Sequence, residues 1–365
     1  MTELELKRLL AGIEPADAAV MDAAKMRQAE LAKPPGSLGA LEEYAVRLAG
    51  ITGKVCPAIE KCRVIVLAAD NGVVREGVSC TPQSVTAQQC INMTRHKTGM
   101  SALAGFFGDE IVVADVGVAA ELPEPVLNRK IRWGTADLLL EPAMTREEAL
   151  CAIETGLELA RQAAREGVSC VGVGEMGIGN TTTSTLVLSC LTGLSPDELT
   201  GRGGGLTDEG FQRKKEVICR ALERHRPDGS DVIGVLSKVG GLDLAAMCGV
   251  FLGCAEQKLS VVVDGFISIT AALCAVRLCP QAKDYLFLSH ASFEIGYRKA
   301  AQELGLEPCL QLGMRLGEGS GCPLMFRILQ AACAAHSNMA TFSEAAIDDD
   351  YLAPIRQGNA YEVKS

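Results

Sequence analysis

Val171-Gly172-Val173-Gly174-Glu175-Met176-Gly177-Ile178-Gly179-Asn180-Thr181-Thr182-Thr183-Ser184-Thr185 joins an apolar, β-rich run to a helical one through a glycine turn. A strand feeding a helix through a short turn is the repeating unit of an α/β domain. Backbone N–H groups at the helix start, glycines that admit close approach and threonine hydroxyls that donate make this turn an anion site suited to a phosphate. The structural alternative, a well-capped core helix, accounts for less of the pattern. Gly172, Gly174 and Gly177 also spell GxGxxG, with Asp197 about twenty residues on, so a dinucleotide fold and a nicotinamide-dinucleotide oxidoreductase have to be weighed. The acid of that fingerprint should end a second strand, whereas Asp197 sits in Ser195-Pro196-Asp197-Glu198, which reads as a helix start.

Working outward, four more short apolar runs end in polar residues. These are Arg63 to Ala69 before Asp70, Ile111 to Ala114 before Asp115, Ser260 to Val263 before Asp264, and Tyr285 to Leu288 before Ser289 and His290. Strands of a parallel sheet are buried on both faces and read as continuous apolar runs, and ligands of open α/β sheets bind beyond their carboxyl ends. The expected fold is therefore α/β, a mostly parallel Rossmann-like sheet with flanking helices. The first ~60 residues lack strand signals and read as helix, loop, helix, with Lys33-Pro34-Pro35-Gly36-Ser37-Leu38-Gly39 as the break. After Pro323, Leu324, Met325, Ile328, Leu329 and Ala332 recur at helical spacing, followed by a polar segment holding Asp348, Asp349 and Asp350. Both termini are expected to pack as one small helical domain, residues 1–60 and 323–365, against a large α/β domain over residues 61–322.

Composition narrows the function. The chain has 365 residues and a net charge of -10, which argues against nucleic acid and anionic membranes as partners. The amino terminus lacks an apolar signal core, and the run from Leu244 to Ala255 is too short to span a bilayer, so a soluble cytoplasmic protein is expected. The 15 cysteines are scattered in apolar segments without a CxxC pair, as suits free thiols in a reducing compartment. The four histidines show no metal-binding spacing, so no metal is expected.

Two further glycine-rich stretches carry chemistry. Gly201-Arg202-Gly203-Gly204-Gly205-Leu206-Thr207-Asp208 precedes Arg213, Lys214 and Lys215, a pairing able to close over the same phosphate or to be only a solvated surface loop. No Walker loop is present, which disfavours triphosphate hydrolysis. Gly317-Glu318-Gly319-Ser320-Gly321 sets a carboxylate between glycines directly before the helix opened by Pro323. Glu318 is either a general base facing a cleft or a carboxylate satisfying free N–H groups at a helix start. Asp70-Asn71-Gly72 and the polar run to Gln89 either offer amides to a heterocycle or make ordinary turns, and Ser289-His290-Ala291-Ser292 either binds substrate or closes a strand.

Together these motifs resemble the nicotinate-nucleotide:dimethylbenzimidazole phosphoribosyltransferase family of cobalamin lower-loop synthesis. The resemblance runs in one order through Lys33-Pro34-Pro35-Gly36-Ser37-Leu38-Gly39, Ala69-Asp70-Asn71-Gly72-Val73, Glu141-Pro142-Ala143-Met144-Thr145, Gly174 to Thr182, Gly201-Arg202-Gly203, Val263-Asp264-Gly265-Phe266, Ser289-His290 and Gly313 to Gly319. It implies transfer of phosphoribose from nicotinate mononucleotide to a benzimidazole-type base, without metal or cofactor, by a homodimer whose partner chain helps wall the active site. By the same resemblance Glu318 is the catalytic glutamate and Gly177, Gly179, Asn180, Thr181, Thr182 and Gly203 bind the phosphate. Glu175 and Lys214 match further active-site positions, with Ser292 and Gln89 as weaker ones, and Leu316 joins Met176, Met314 and Met325 as apolar candidates to sandwich a flat ring. The chain departs from the family at Asn71, at Cys80-Thr81 and at Tyr297, which leaves the base open among benzimidazoles, purines and phenols. The readings kept beside this one are the dinucleotide oxidoreductase and a noncatalytic subunit of a mixed transferase.

Overall fold

The computed structural model describes residues 1–352. Its six strands are β1 (Cys62–Ala69), β2 (Glu110–Gly117), β3 (Leu127–Asn128), β4 (Cys170–Met176), β5 (Ser260–Val263) and β6 (Leu286–Leu288). All five neighbouring pairs are parallel, in the order β3-β2-β1-β4-β5-β6. After β1 the chain builds outward through β2 and β3, then returns to place β4 on the other side of β1. The order reverses between β1 and β4, the point where open α/β sheets form a crevice for ligands.

Burial explains why the strands read as apolar runs. Every residue of β1, β4, β5 and β6 is buried. On one face lies the helix Leu242–Glu256, whose residues from Leu242 to Ala255 are all buried because a second helix, Arg146–Arg165, covers its outer side. Gly156 and Gly249 permit that close crossing, since a Cβ on Gly156 would lie 2.6 Å from Val250 N and one on Gly249 would lie 2.8 Å from the Ile153 carbonyl carbon. The helix Cys322–Asn338 packs against β1, β4 and β5 and against the helix Ala40–Thr52. A Cβ on Gly172 would stand 2.5 Å from Cys322 Cβ, so this glycine of β4 serves the helix packed on the sheet.

The two ends of the chain meet. Arg27 donates to the carbonyls of His336 and Ser337, both at 3.0 Å, and Phe342 N donates to Glu30 O at 2.9 Å. His336 is buried between them, its ring nitrogens 2.8 Å from Gln28 Nε2 and 2.8 Å from Val55 O. The first helix, Glu3–Leu10, lies apart from this group, since Glu3 pairs with Arg146 at 2.8 Å and the terminal amine pairs with Glu154.

Several expectations need correction. The amino-terminal region holds three helices, Glu3–Leu10, Ala18–Glu30 and Ala40–Thr52, where two were expected around the Lys33 to Gly39 break. Asp115 does not end its strand: β2 runs on to Gly117, and the Asp115 carboxylate accepts from Gly117 N and Val118 N while pairing with Lys130. Glu175 likewise lies within β4. The edge strand β3 was not foreseen. Residues 353–365 of the expected carboxyl-terminal segment lie outside the described residues.

Candidate active site

A cavity of about 310 Å³ opens above the carboxyl ends of β4, β5 and β6. Its size falls within the ~300–1,000 Å³ usual for small-molecule sites. Gly177, Gly179, Asn180, Thr181 and Gly203 line it, as do Glu175, Gln89, Ser292, Leu316 and Glu318. One pocket thus gathers residues from separate stretches across the chain.

The floor is the turn after β4. Gly179, with φ 92°, caps the helix Asn180–Thr192, a left-handed conformation that suits glycine. Asn180 N and Thr182 N are used inside the turn, bonding to Gly177 O and Gly179 O. The Gly179 and Thr181 N–H groups have no partner among the described residues, and both residues line the cavity. Lys214, on the helix Asp208–His225, reaches the turn from behind. Its Nζ donates to Thr181 Oγ1 at 2.8 Å and to Gly201 O at 3.2 Å. Burial lowers its pKa to about 8, opposed by the nearby Glu294 carboxylate. An amine taken out of water without a full counter-charge gains most from an arriving anion.

The opposite wall carries Glu318. Gly317, Glu318 and Gly319 adopt φ of 84°, 64° and 89°, three left-handed residues in a row of which only the middle one has a side chain. For a non-glycine residue this conformation costs of order 1–3 kcal/mol and persists only where the surroundings enforce it. Glu318 is 5 % exposed. Its Oε2 accepts from Met100 N at 3.1 Å, at the start of the helix Gly99–Phe107, while Oε1 has no hydrogen bond among the described residues. Glu318 therefore does satisfy a helix-start N–H, though of a helix more than 200 residues away and not the one it precedes.

Between these walls stands a set of buried carboxylates. Glu175 accepts from Glu318 N at 3.2 Å and from Asn180 Nδ2, which also donates to Asp243 Oδ2 at 3.2 Å. Burial raises the pKa of Glu175 to about 7 and that of Asp243 to about 6. Asp264, which follows β5, accepts from Gly319 N at 3.0 Å and Gly321 N at 2.6 Å, and burial raises it to about 7. His290 lies 3.7 Å from Asp264, but burial lowers its pKa to about 4, so it stands beside that carboxylate as a neutral ring.

A phosphoribosyltransferase family profile matches residues 13–347. The nicotinate-nucleotide:dimethylbenzimidazole phosphoribosyltransferase of Clostridium perfringens is 48% identical over 359 residues, covering 98% of this chain and 99% of that protein. The enzyme of that name from Clostridium tetani is 45% identical over 354 residues, covering 96% of this chain and 98% of its own length. The chain belongs to the nicotinate-nucleotide:dimethylbenzimidazole phosphoribosyltransferase family. The crystal structure of the family's protein from Thermus thermophilus superposes with a TM-score of 0.86 at 43% identity, over 91% of this chain and 99% of that one.

Family membership gives the glycine pattern its meaning. Gly172 and Gly174 lie inside the fourth strand, where a dinucleotide fingerprint would place its first glycine in the turn after the first strand. Thr182 is buried and does not line the cavity, and neither does Lys214, which acts on it through Thr181. Asn71 is fully buried, and Met325 is a core residue 3.3 Å from Cys309 Sγ. Of the apolar candidates, Met176 and Leu316 line the pocket. Sequence reasoning passed over Asp243, Glu294 and Arg315, and left Asp264 out of the site. Gly240-Gly241 before Asp243 marked a helix start, but nothing in one stretch of sequence ties that start to Asn180.

Proposed function

We propose that this chain transfers the phosphoribosyl group of nicotinate mononucleotide to 5,6-dimethylbenzimidazole or a related lower-ligand base, yielding α-ribazole 5'-phosphate and nicotinate, with Glu318 as general base. The observation that carries this reading is one cavity with an anion site on its floor and a carboxylate holding an unengaged oxygen on its wall. The Gly179 and Thr181 N–H groups, with Lys214 behind them, take the phosphate of the ribotide. Gly203 stands against the same lysine, its added Cβ lying 3.6 Å from Lys214 Nζ, and supplies backbone to that end of the substrate.

The chemistry asks for one base. Nicotinate leaves a cationic pyridinium, and the electrons of the broken C1'–N bond neutralise its ring, so no acid has to protonate it. The incoming imidazole attacks C1' through one nitrogen and must shed the proton of the other, which passes to the Glu318 carboxylate. Positive charge building at C1' is stabilised by the carboxylates around it. Glu175, with one oxygen accepting from Asn180 Nδ2 and the other from Glu318 N, suits a ribose contact better than proton abstraction.

Phe293 is 71% exposed and Leu316 58% exposed beside the cavity mouth, which supports a homodimer whose second copy covers this rim. Light scattering on the purified protein reads that state directly. The reaction is tested by offering nicotinate mononucleotide with a panel of benzimidazoles, purines and phenols and identifying the riboside phosphate by mass. Product from at least one base is expected, and none from any base overturns the reading.

A further inference from the structure

The strained Gly317 to Gly319 turn has to be held, and its surroundings show by what. Both oxygens of Asp264 are committed to it, Oδ2 to Gly319 N at 3.0 Å and Oδ1 to Gly321 N at 2.6 Å. Asp264 is itself fixed: its own N–H donates to Ser268 Oγ at 3.2 Å, and Ser268 in turn donates to Val173 O of β4 at 3.1 Å. Its carbonyl accepts from Ser289 Oγ at 3.4 Å. Among the described residues no lysine or arginine pairs with it, so the two loop amides, the Gly265 N–H and a neutral histidine are what this buried carboxylate has in place of water. No substrate-facing role is open to it, because it is 2 % exposed and does not line the cavity.

We propose that Asp264 is the positioning residue of the reaction, a two-oxygen clamp that holds the left-handed Gly317–Gly321 loop so that the Glu318 carboxylate meets the incoming base. The inference rests on Glu318 being the general base. Its logic is geometric. The loop is anchored on one side by Glu175 accepting from Glu318 N and on the other by Asp264, so the backbone that carries the Glu318 side chain is held from both directions. With the clamp removed, Glu318 can relax toward ordinary backbone angles and its carboxylate withdraws from the reacting nitrogen. The phosphate floor belongs to other elements and stays in place.

The test is a double-mutant cycle of Asp264→Asn and Glu318→Gln, read as kcat, KM for nicotinate mononucleotide and the calorimetric Kd for that substrate. Asparagine keeps one acceptor oxygen of the two. A displacement of about 1 Å at a reacting group costs on the order of 100-fold, so Asp264→Asn is expected to lower kcat by about that factor. Kd should stay within about threefold, because the phosphate floor is untouched. The double variant should be no slower than Glu318→Gln alone, since the clamp acts only through the base. A merely structural role would multiply the two losses or weaken substrate binding, and either result overturns the clamp. If Glu318→Gln turns over normally, the base assignment falls instead. If Glu318→Gln is slow while Asp264→Asn matches the unaltered protein, only the clamp falls. Should Asp264→Asn fail to fold, Asp264→Glu keeps the charge but pushes the oxygens one methylene too far, and the same cycle applies to it.

Discussion

Replacing Gly174 by alanine tests, with a single methyl group, whether the Glu318 loop must sit where it does. Gly174 lies in β4 directly beneath that loop. A Cβ there would stand 2.8 Å from the Glu318 carbonyl carbon and 3.0 Å from Gly319 N, and nearer still to the Glu318 carbonyl oxygen, where ordinary contact begins at 3.4 Å. All three atoms are backbone, so no side-chain rotation relieves the overlap, and β4 is fixed between β1 and β5. The loop has to lift by roughly 1 Å, which for a reacting group costs on the order of 100-fold in rate. That is about 2.7 kcal/mol of barrier. Overpacking of this kind also removes about 1–3 kcal/mol of stability, which the domain should survive. The assay is steady-state turnover with 5,6-dimethylbenzimidazole, alongside the Kd for nicotinate mononucleotide and a urea melt. Loss of kcat with near-normal substrate binding is expected. A Gly174→Ala protein with unaltered kcat would refute the claim that this loop's position sets the rate.

Other outcomes follow from the same geometry. Lys214 carries its charge only below its pKa of about 8, so kcat/KM for nicotinate mononucleotide should hold level up to that pH and fall as pH rises further. In Lys214→Met that alkaline limb should vanish and KM should rise at neutral pH, while a limb unchanged in the variant would assign it to another group. Lys33, before the Pro34-Pro35-Gly36 turn, and Glu42, in the helix Ala40–Thr52, form a buried ion pair at 2.8 Å. Lys33→Met leaves Glu42 buried with only Leu38 N as donor and is expected to cost about 3–5 kcal/mol in a urea melt. The double variant Lys33→Met/Glu42→Gln should recover much of that loss, and failure to recover would mean that Lys33 contributes chiefly through packing.

The α/β fold was legible because parallel strands buried on both faces leave continuous apolar runs, as Arg63 to Ala69 and Ser260 to Val263 do. The two-residue β3 left no such trace, since Leu127-Asn128 is too short for any pattern and forms only because β2 offers an edge. The turn after β4 was legible as a part of the site because glycine and threonine chemistry is local, and its residues do line the cavity. What Gly172 and Gly174 serve was not legible, for a physical reason: sequence shows that a glycine is required, not which neighbour requires it. Here the neighbours are Cys322 and the Glu318 backbone, far along the chain. The same distance hid Asp243 and Asp264. Each is a commonplace acid at a helix start or strand end until the sheet order brings it beside Asn180 or Gly319. Glu318 was found early because two glycines flank it, and the structure explains them, since neighbours in the left-handed region favour glycine.

The most direct measurement is the turnover of Glu318→Gln on nicotinate mononucleotide and 5,6-dimethylbenzimidazole, with α-ribazole 5'-phosphate and nicotinate quantified by mass. Glutamine keeps an oxygen for Met100 N but cannot take a proton, so the fold and the substrate Kd should stand while kcat drops by about 10²–10⁴-fold. A Glu318→Gln protein that makes the riboside phosphate at the unaltered rate would contradict the assignment of this residue as the base.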